Sequence, residues 1–582
     1  MSPQAMREQW HQAQAQSQAI ACWLNCYLRE FALPRDEVEL DYRGADLPAG
    51  LSHGEGQVLR IRFADAGHLL CIRASRVSAL GRCDYASAPY VKRPGEAWRC
   101  VDAAAAVHFL LERLASECGF NDELFQQTLN SIEIAGHLLA RSLDAPRTGD
   151  ALLDAEQGML WGHALHPTPK SREGLPVATV LDASPEARTH IPLYWFRIDP
   201  RLLRGYGRDV RATLAQVAGA ANLYPCHPWE AQRLLAQPLM RHAIEQGWIA
   251  PVGEVGHALY PTSSVRTMYH PELEYFLKLS IHVRLTNCVR KNAWYELESA
   301  VALTALLAPS WQEVRTRQPG FDIMPEPAAT TLDFSPLTDD ADALRDMTES
   351  FGMLYRENLS VLQRQHYQPQ VAGAVFTVDR HGASVCRQLV QSLGGHYART
   401  AQQWFEAYAS LLLDGVWLAF FEQGIILEPH LQNTVIGFER GLPARVWVRD
   451  LEGTKLVDSV WPESRLGALS ARARASVQYP AALGWKRVAY CALVNNLAEA
   501  IFHLAGNDAA LEQRLWFSIA DMAARWQRRH GYQPLLQGLI DGDALPSKNN
   551  LRTRLFKRAD RDSDYTELPS PIRVHGLARA AA

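Results

Sequence analysis

The chain of 582 residues is short of the signatures by which many enzyme classes are first read. It has no GxxxxGK[ST] loop and no GxGxxG turn, so neither a P-loop nor a Rossmann site is supported. It has no GxSxG elbow and no HExxH helix, which leaves hydrolase and metalloprotease readings without support. Its ten cysteines are scattered. No CxxC pair occurs, and the nearest two, Cys22 and Cys26, lie one turn apart in a helical pattern. That spacing excludes a zinc ribbon and predicts reduced, buried thiols in a cytoplasmic protein. The C-terminal part lacks the clustered cysteines that an iron–sulfur reductase needs. Net charge is also lacking: 59 Lys and Arg against 63 Asp and Glu leave -4. Without a global basic field, nucleic acid and anionic membrane are not expected partners. The polar N-terminus has no signal-peptide core, and no stretch is expected to reach the apolar length of a membrane span; Leu411 to Phe421 is interrupted by Asp414 and stops at Glu422.

What is present is ordinary in bulk, with 47% hydrophobic and 21% charged residues, and the length suits two to four domains. We expect a mostly helical first unit over 1–150, with helices over the first 30 residues, Asp102 to Cys118 and Asp122 to Ser142, and alternating pieces at Val58 to Phe63 and His68 to Ile72. Residues 151–395 mix strands and loops; Thr179 to Asp182, Ile191 to Ile198 and Phe276 to Asn287 read as strands, and the proline-rich stretch from Pro309 to Asp340 as a loop or insertion. Residues 396–582 return to helix over Ala398 to Gln423, Lys486 to Leu504 and Asp508 to His530, with a hairpin from Thr434 to Leu451 turning at Glu439 to Gly441 and an irregular tail from Ala559.

The segment Leu277 to Thr286, LKLSIHVRLT, carries the strongest signal. Its residues alternate, apolar on one face and Lys278, Ser280, His282, Arg284 and Thr286 on the other. That polar face holds two cations and no acid, follows PTSSVRTM, and leads into Arg290 and Lys291. Donors without a counter-charge in the segment suit a multivalent anion such as a nucleotide triphosphate. Ser263, Ser264, Arg266 and Thr267 add donors within one turn. A second constellation surrounds the hairpin. Glu428, His430, Gln432 and Asn433 precede its first strand, and Asp450 and Glu452 follow its second. A hairpin returns the chain, so Asn433 and the acid pair are expected to meet around one hard cation, Mg²⁺, in the manner of a kinase. The plain alternative is a solvated hairpin with charged ends. The third, Trp161 to Leu175, crowds His163, His166, Lys170, Ser171 and Arg172 into a loop; a substrate-carboxylate site, a zinc site at the two histidines and a plain surface loop all remain open. The fourth is the cationic stretch KNNLRTRL, which begins at Lys548.

In this order, GHALHPTPKSREGL, HPWE, TSSVRT, KLSIHVRLTN with Arg290, EPHLQN, RDLEG and KNNLRTRL, the chain resembles the IucA/IucC family of NRPS-independent siderophore synthetases. Ala164, Pro429 and Asn549 depart from the family pattern. The resemblance implies an α+β fold shaped as a cupped hand. Its thumb would be the helical 1–150, its fingers the mixed sheet of 151–395, and its palm the helical 396–582 with the kinase-like hairpin. It implies a cytoplasmic ligase, often a homodimer, that adenylates a carboxylate of citrate or a citryl compound with ATP and Mg²⁺ and passes it to an amine or hydroxyl. ATP would meet Ser263, Ser264, Arg266, Thr267, Lys278, Arg284, Thr286, His430, Gln432 and Asn433. The carboxylate would meet His163, His166, Lys170, Arg172, Arg290 and Lys548. Asn433, Asp450 and Glu452 would hold the metal, and Arg290, Lys278 and His430 would be catalytic. Two rival expectations are a kinase-like phosphotransferase and a non-catalytic citrate or ferric-siderophore binding protein.

Overall fold

A computed structural model describes residues 3–64, 67–285, 288–559 and 562–573. The architecture is α+β, with helices at both ends of the chain and sheets between them. The helix Pro3–Tyr27 runs into a π-helical turn, Leu28–Ala32, and packs on the helices Ala103–Cys118 and Asp122–Asp144. Asp102 and Asn121 cap the latter two, accepting from the Ala105 and Leu124 amides. The N-terminal part also holds a six-stranded antiparallel sheet, more strand than its helical patterns announced. Trp23 and Tyr27 from the first helix, Phe31 from the π-helical turn, and Leu70 and Ile72 from that sheet share one core.

The central part is an eight-stranded sheet in which all neighbours are antiparallel. Tyr275–Lys278 lies in its middle, between Thr267–Tyr269 and Met353–Glu357. Here the sequence reading needs correction. The alternating segment is not one strand. It breaks after Lys278, and Ile281–Leu285 forms a separate ribbon with Cys288–Arg290. The break has a local cause. Leu279 donates its amide to the Arg266 carbonyl, and the Ser280 hydroxyl lies 2.6 and 2.9 Å from the Glu349 and Gly352 carbonyls. Tyr275–Lys278 is also buried on both faces, so it is not half-solvated.

Two further expectations are corrected. Thr179 to Asp182 belongs to a helix, Val177–Asp182, which starts after Pro176. A segment of four residues with two apolar ones does not by itself separate strand from helix. The stretch from Pro309 to Asp340 contains the helix Ala308–Arg317 and the strands Phe321–Ile323 and Ala328–Leu332. Pro309 sits in the first helical turn, where a missing N–H costs nothing.

The hairpin strands Thr434–Glu439 and Leu442–Val448 join Phe321–Ile323 and Gln370–Val371 in a four-stranded sheet. This sheet leans on a helical core built from Tyr397–Trp417, Ala498–Ala505 and Ala509–His530. Tyr397–Glu422 and Ala481–Ala505 are, against expectation, long and apolar enough to cross a membrane, but both are spent largely on this core. In the expected irregular tail, Tyr565–Leu568 pairs with Leu545–Lys548 and so fixes the backbone at Lys548.

Candidate functional site

The hairpin places the acids. Its register pairs Thr434 with Val448, and the Arg449 amide donates to the Asn433 carbonyl at 2.9 Å, so the chain leaves the second strand beside the start of the first. Asp450 then turns with φ of 76°, a left-handed conformation uncommon outside glycine. The large sheet places the cation opposite. Lys278 Nζ lies 2.5 Å from Asp450 Oδ1 and 2.7 Å from Glu452 Oε2. The cationic strand and the acid pair, separated by 172 residues, meet directly.

Burying these charges is tolerable only because each has several partners. Arg356 Nη2 lies 3.2 Å from Asp450 Oδ1, and Arg266 Nη2 lies 3.9 Å from Glu452 Oε2. Burial pushes the Asp450 carboxyl up, but Lys278 and Arg356 outweigh it and hold it well below the usual carboxylate range. Glu452 is lowered against burial by Lys278 and Arg266. Burial opposes the charge on Lys278, yet Asp450 and Glu452 raise its pKa. Glu296 goes the other way, raised by burial and by the nearby Glu452.

The TSSVRT turn packs beside this centre. Val265 takes φ of 68°, a strained value for a β-branched residue. Ser264 Oγ donates to Thr267 Oγ1 at 2.7 Å, and Arg266 is tied to the Asn292 side chain and the Arg290 carbonyl. Ser263 donates its amide and hydroxyl to Glu156 Oε2 at 3.1 and 2.8 Å. The same fully buried Glu156 pairs with Arg449, the residue before Asp450. One glutamate therefore ties the serine turn to the hairpin.

His430 and His163 share a second neighbourhood. Asn495, in the π-helical segment Tyr490–Leu497, lies 2.6 Å from His163 Nε2 and accepts from the Leu431 amide at 3.0 Å. Burial takes the His163 pKa down to about 3, with His166 and His430 adding to the shift. His430 is also lowered, chiefly by burial. Lys548 acts electrostatically on both histidines. The His163 nitrogens face Asn495 and the Leu165 amide, and the His166 Nδ1 accepts from Thr168. Among the described residues, no group of three or more His, Cys, Asp or Glu is arranged to hold a metal. Mg²⁺ asks for less, one or two carboxylates plus substrate phosphates. Asp450 and Glu452 fit that demand, since their oxygens already converge on one cationic atom.

Other expected residues are placed differently. Lys170 and Arg172 were expected at a substrate carboxylate; both are buried and face the chain's own Glu186, with Lys170 Nζ also donating to the Met159 carbonyl at 2.7 Å. Arg284 lies beside Gln127, Thr168, Ser171 and Glu173, none of which belongs to the Lys278 centre. Arg290 pairs with Ile281 in the small ribbon and acts electrostatically on Arg172. Gln432 contributes its carbonyl to Arg449 Nε at 3.0 Å. Thr286 lies outside the described residues.

Sequence reasoning missed Glu156, Glu326, Arg356 and Arg449. The only signal for Arg356 and Arg449 was a charge closing an otherwise apolar strand, as in MLYRE and VWVRD. Glu156 and Glu326 are single acids without a pattern.

Residues 151–377 match the IucA / IucC family, and residues 402–563 match the ferric iron reductase FhuF-like transporter family. The second match spans a single cysteine, Cys491, which is buried with its thiol pushed up in pKa by that burial. The chain is 28% identical to the L-2,3-diaminopropanoate–citrate ligase of Staphylococcus aureus over 77% of its length and 79% of that protein's. It is 26% identical to the spermidine-citrate ligase of Bacillus anthracis over 72% and 71%. Its fold is that of the ATP-bound aerobactin synthetase IucA of Klebsiella pneumoniae, with a TM-score of 0.81 and 22% identity, covering 96% of this chain and 100% of that one.

Proposed function

Since this chain belongs to the IucA/IucC family of siderophore synthetases, we propose that it uses ATP to join a citrate or citryl carboxylate to an amine. The observation that carries this reading is the Lys278 ammonium bonded to both Asp450 and Glu452. Two sheets from distant parts of the chain deliver opposite charges to one point. Such an arrangement suits a ligand that brings its own cation and its own anions together, as a metal–nucleotide does.

In this reading a substrate carboxylate oxygen attacks the α-phosphorus of ATP. The bond to the bridging oxygen breaks and pyrophosphate leaves, giving an acyl-adenylate. The neutral amine then attacks the acyl carbon, AMP departs with the bonding electron pair, and the amine loses a proton. The first step brings two anions together and the second expels one, so fixed cations lower both barriers. Lys278 and Arg266 would face phosphate oxygens, with Ser264 and Thr267 as hydroxyl donors and His430 and Asn433 closing the other side. Asp450 and Glu452 would hold Mg²⁺, which when bound neutralises and orients phosphate oxygens. His163, Lys548 and Arg290 would receive the carboxylate substrate. His163 stays neutral at physiological pH, so it adds no charge there. Partial exclusion of water from the cluster strengthens each of these interactions.

Citrate is favoured because the names of both relatives carry it, while their amines differ. The test is a panel of carboxylic acids against amines, read by product mass and nucleotide product. Citrate-dependent AMP and pyrophosphate support the reading. ADP with a phosphorylated product would make the chain a phosphotransferase, and binding without turnover would make it a binding protein.

A further inference from the structure

Asp450 and its neighbour Arg449 are gripped by two separate Glu–Arg pairs, and one of them has a role beyond holding the fold. Glu326 is fully buried. Its Oε1 accepts from Arg356 Nε and Nη2 at 2.9 and 2.7 Å. Its Oε2 accepts from the Leu451 amide at 2.9 Å, the first peptide after the left-handed Asp450. Arg356 Nη2 in turn reaches Asp450 Oδ1 at 3.2 Å. One carboxylate and one guanidinium thus hold Asp450 at both ends, backbone and side chain. Asp450 keeps this conformation only where surrounding contacts over-determine it, since the left-handed region is unfavourable for a residue with a Cβ.

The two gripping residues come from different elements. Arg356 sits on Met353–Glu357, the neighbour of Tyr275–Lys278 in the large sheet, and Lys278 pairs in register with Leu354. Glu326 lies between the strand Phe321–Ile323, which pairs with the hairpin, and Ala328–Leu332, which belongs to the large sheet. Lys278 and Asp450 are therefore set from opposite sheets, and the pair spans the seam between them. Both residues lie behind the acids, with side chains almost wholly buried, so neither is placed to touch substrate.

We propose that Glu326 and Arg356 are positioning residues that aim the Asp450 carboxylate at the divalent cation accompanying the nucleotide. The proposal rests on the reading that Asp450 and Glu452 hold that cation. The other pair, Glu156 with Arg449, holds Ser263 and the residue before Asp450, and does not touch the Asp450 carboxylate or the Leu451 amide.

The test is Mn²⁺ binding to the full chain with ATP present, followed by electron paramagnetic resonance, for wild type, Glu326→Gln and Arg356→Lys. Glu326→Gln keeps the shape but turns one accepting oxygen into a donor, so either Leu451 or Arg356 loses its partner. Arg356→Lys keeps the charge but cannot serve Glu326 and Asp450 as a fork does. Both variants are expected to weaken Mn²⁺ binding about 10–100-fold, the range for partners that orient a metal ligand. The KM for the carboxylate substrate is expected to stay within about twofold of wild type on the same scale. A folded variant of either kind that binds Mn²⁺ as wild type does overturns the proposal. So does an equal rise in the constants for metal, ATP and carboxylate, which marks general loosening. If wild type itself binds no Mn²⁺ with ATP, the metal–nucleotide reading falls with it, and citrate-dependent turnover then shows whether the ligase reading survives on other grounds.

Discussion

Lys278 and Lys170 are both buried lysines facing carboxylates, but their surroundings differ. The Lys278 side chain is 4% exposed, while its partners Asp450 and Glu452 keep 32% and 21% of their side chains open. The Lys170, Arg172 and Glu186 side chains are 5%, 5% and 3% exposed. In the first cluster the acids stay partly open to solvent. In the second every charge is sealed among the chain's own groups. A buried ion pair is thus weak evidence of a site; what distinguishes the site is a charge left partly open.

The sharpest way to break this comparison is to remove one acid from each cluster. Glu186→Gln leaves Lys170 and Arg172 sealed without an anion, and is expected to lower unfolding free energy by about 3–5 kcal/mol in urea titration. The paired change Lys170→Met with Glu186→Leu is expected to recover most of that loss, because burying no charge costs less than burying one alone. An unchanged urea midpoint for Glu186→Gln would refute the sealed-scaffold reading. At the open cluster the balance inverts. Asp450→Asn is expected to reduce citrate-dependent pyrophosphate exchange by roughly 10²–10³-fold while the thermal midpoint stays near wild type. Lys278→Met is expected to match it in rate loss. Full exchange activity in either variant would move the chemistry elsewhere.

How much of this was legible depends on the length scale of each signal. The alternation from Leu277 to Thr286 announced strand and cation together, because both are local. It did not announce the break after Lys278, which is made by Arg266, Glu349 and Gly352 from elsewhere. The hairpin was readable from its turn and two apolar runs, and with it the nearness of Asn433 to Asp450. That Lys278 would point at Asp450 follows from sheet order, which a single sequence does not contain. Lys170 misled for the same reason: its partner Glu186 comes from a turn 16 residues away that reads as surface. Glu156 and Glu326 were invisible because a lone buried acid has no spacing to betray it.

A smaller effect extends the comparison to a third buried carboxylate, Glu30, in the π-helical turn of the N-terminal part. It accepts from the Leu551 and Arg552 amides at 2.9 and 2.7 Å and so caps the helix Asn550–Leu555 that follows Lys548. Burial pushes its pKa up to about 7 from an ordinary 4.5, and the three backbone amides that face it only partly offset that. Glu30 is an acid whose folded pKa lies above its unfolded one, so the folded state favours the proton. Its stabilising contribution is whole below about pH 4.5 and fades as pH rises through about 7. Wild type is expected to lose roughly 1–3 kcal/mol across that window from this group. Glu30→Gln, uncharged at every pH, is expected to flatten that slope while starting from a lower baseline, because one amide loses its acceptor. Urea midpoints at intervals from pH 4.5 to 8 for both proteins measure it. Parallel slopes would mean that Glu30 stays ionised throughout and that the amides of Leu551 and Arg552, not burial, set its charge. The cap would then belong with Asp450, whose partners outweigh burial, and not with the sealed Glu186 cluster.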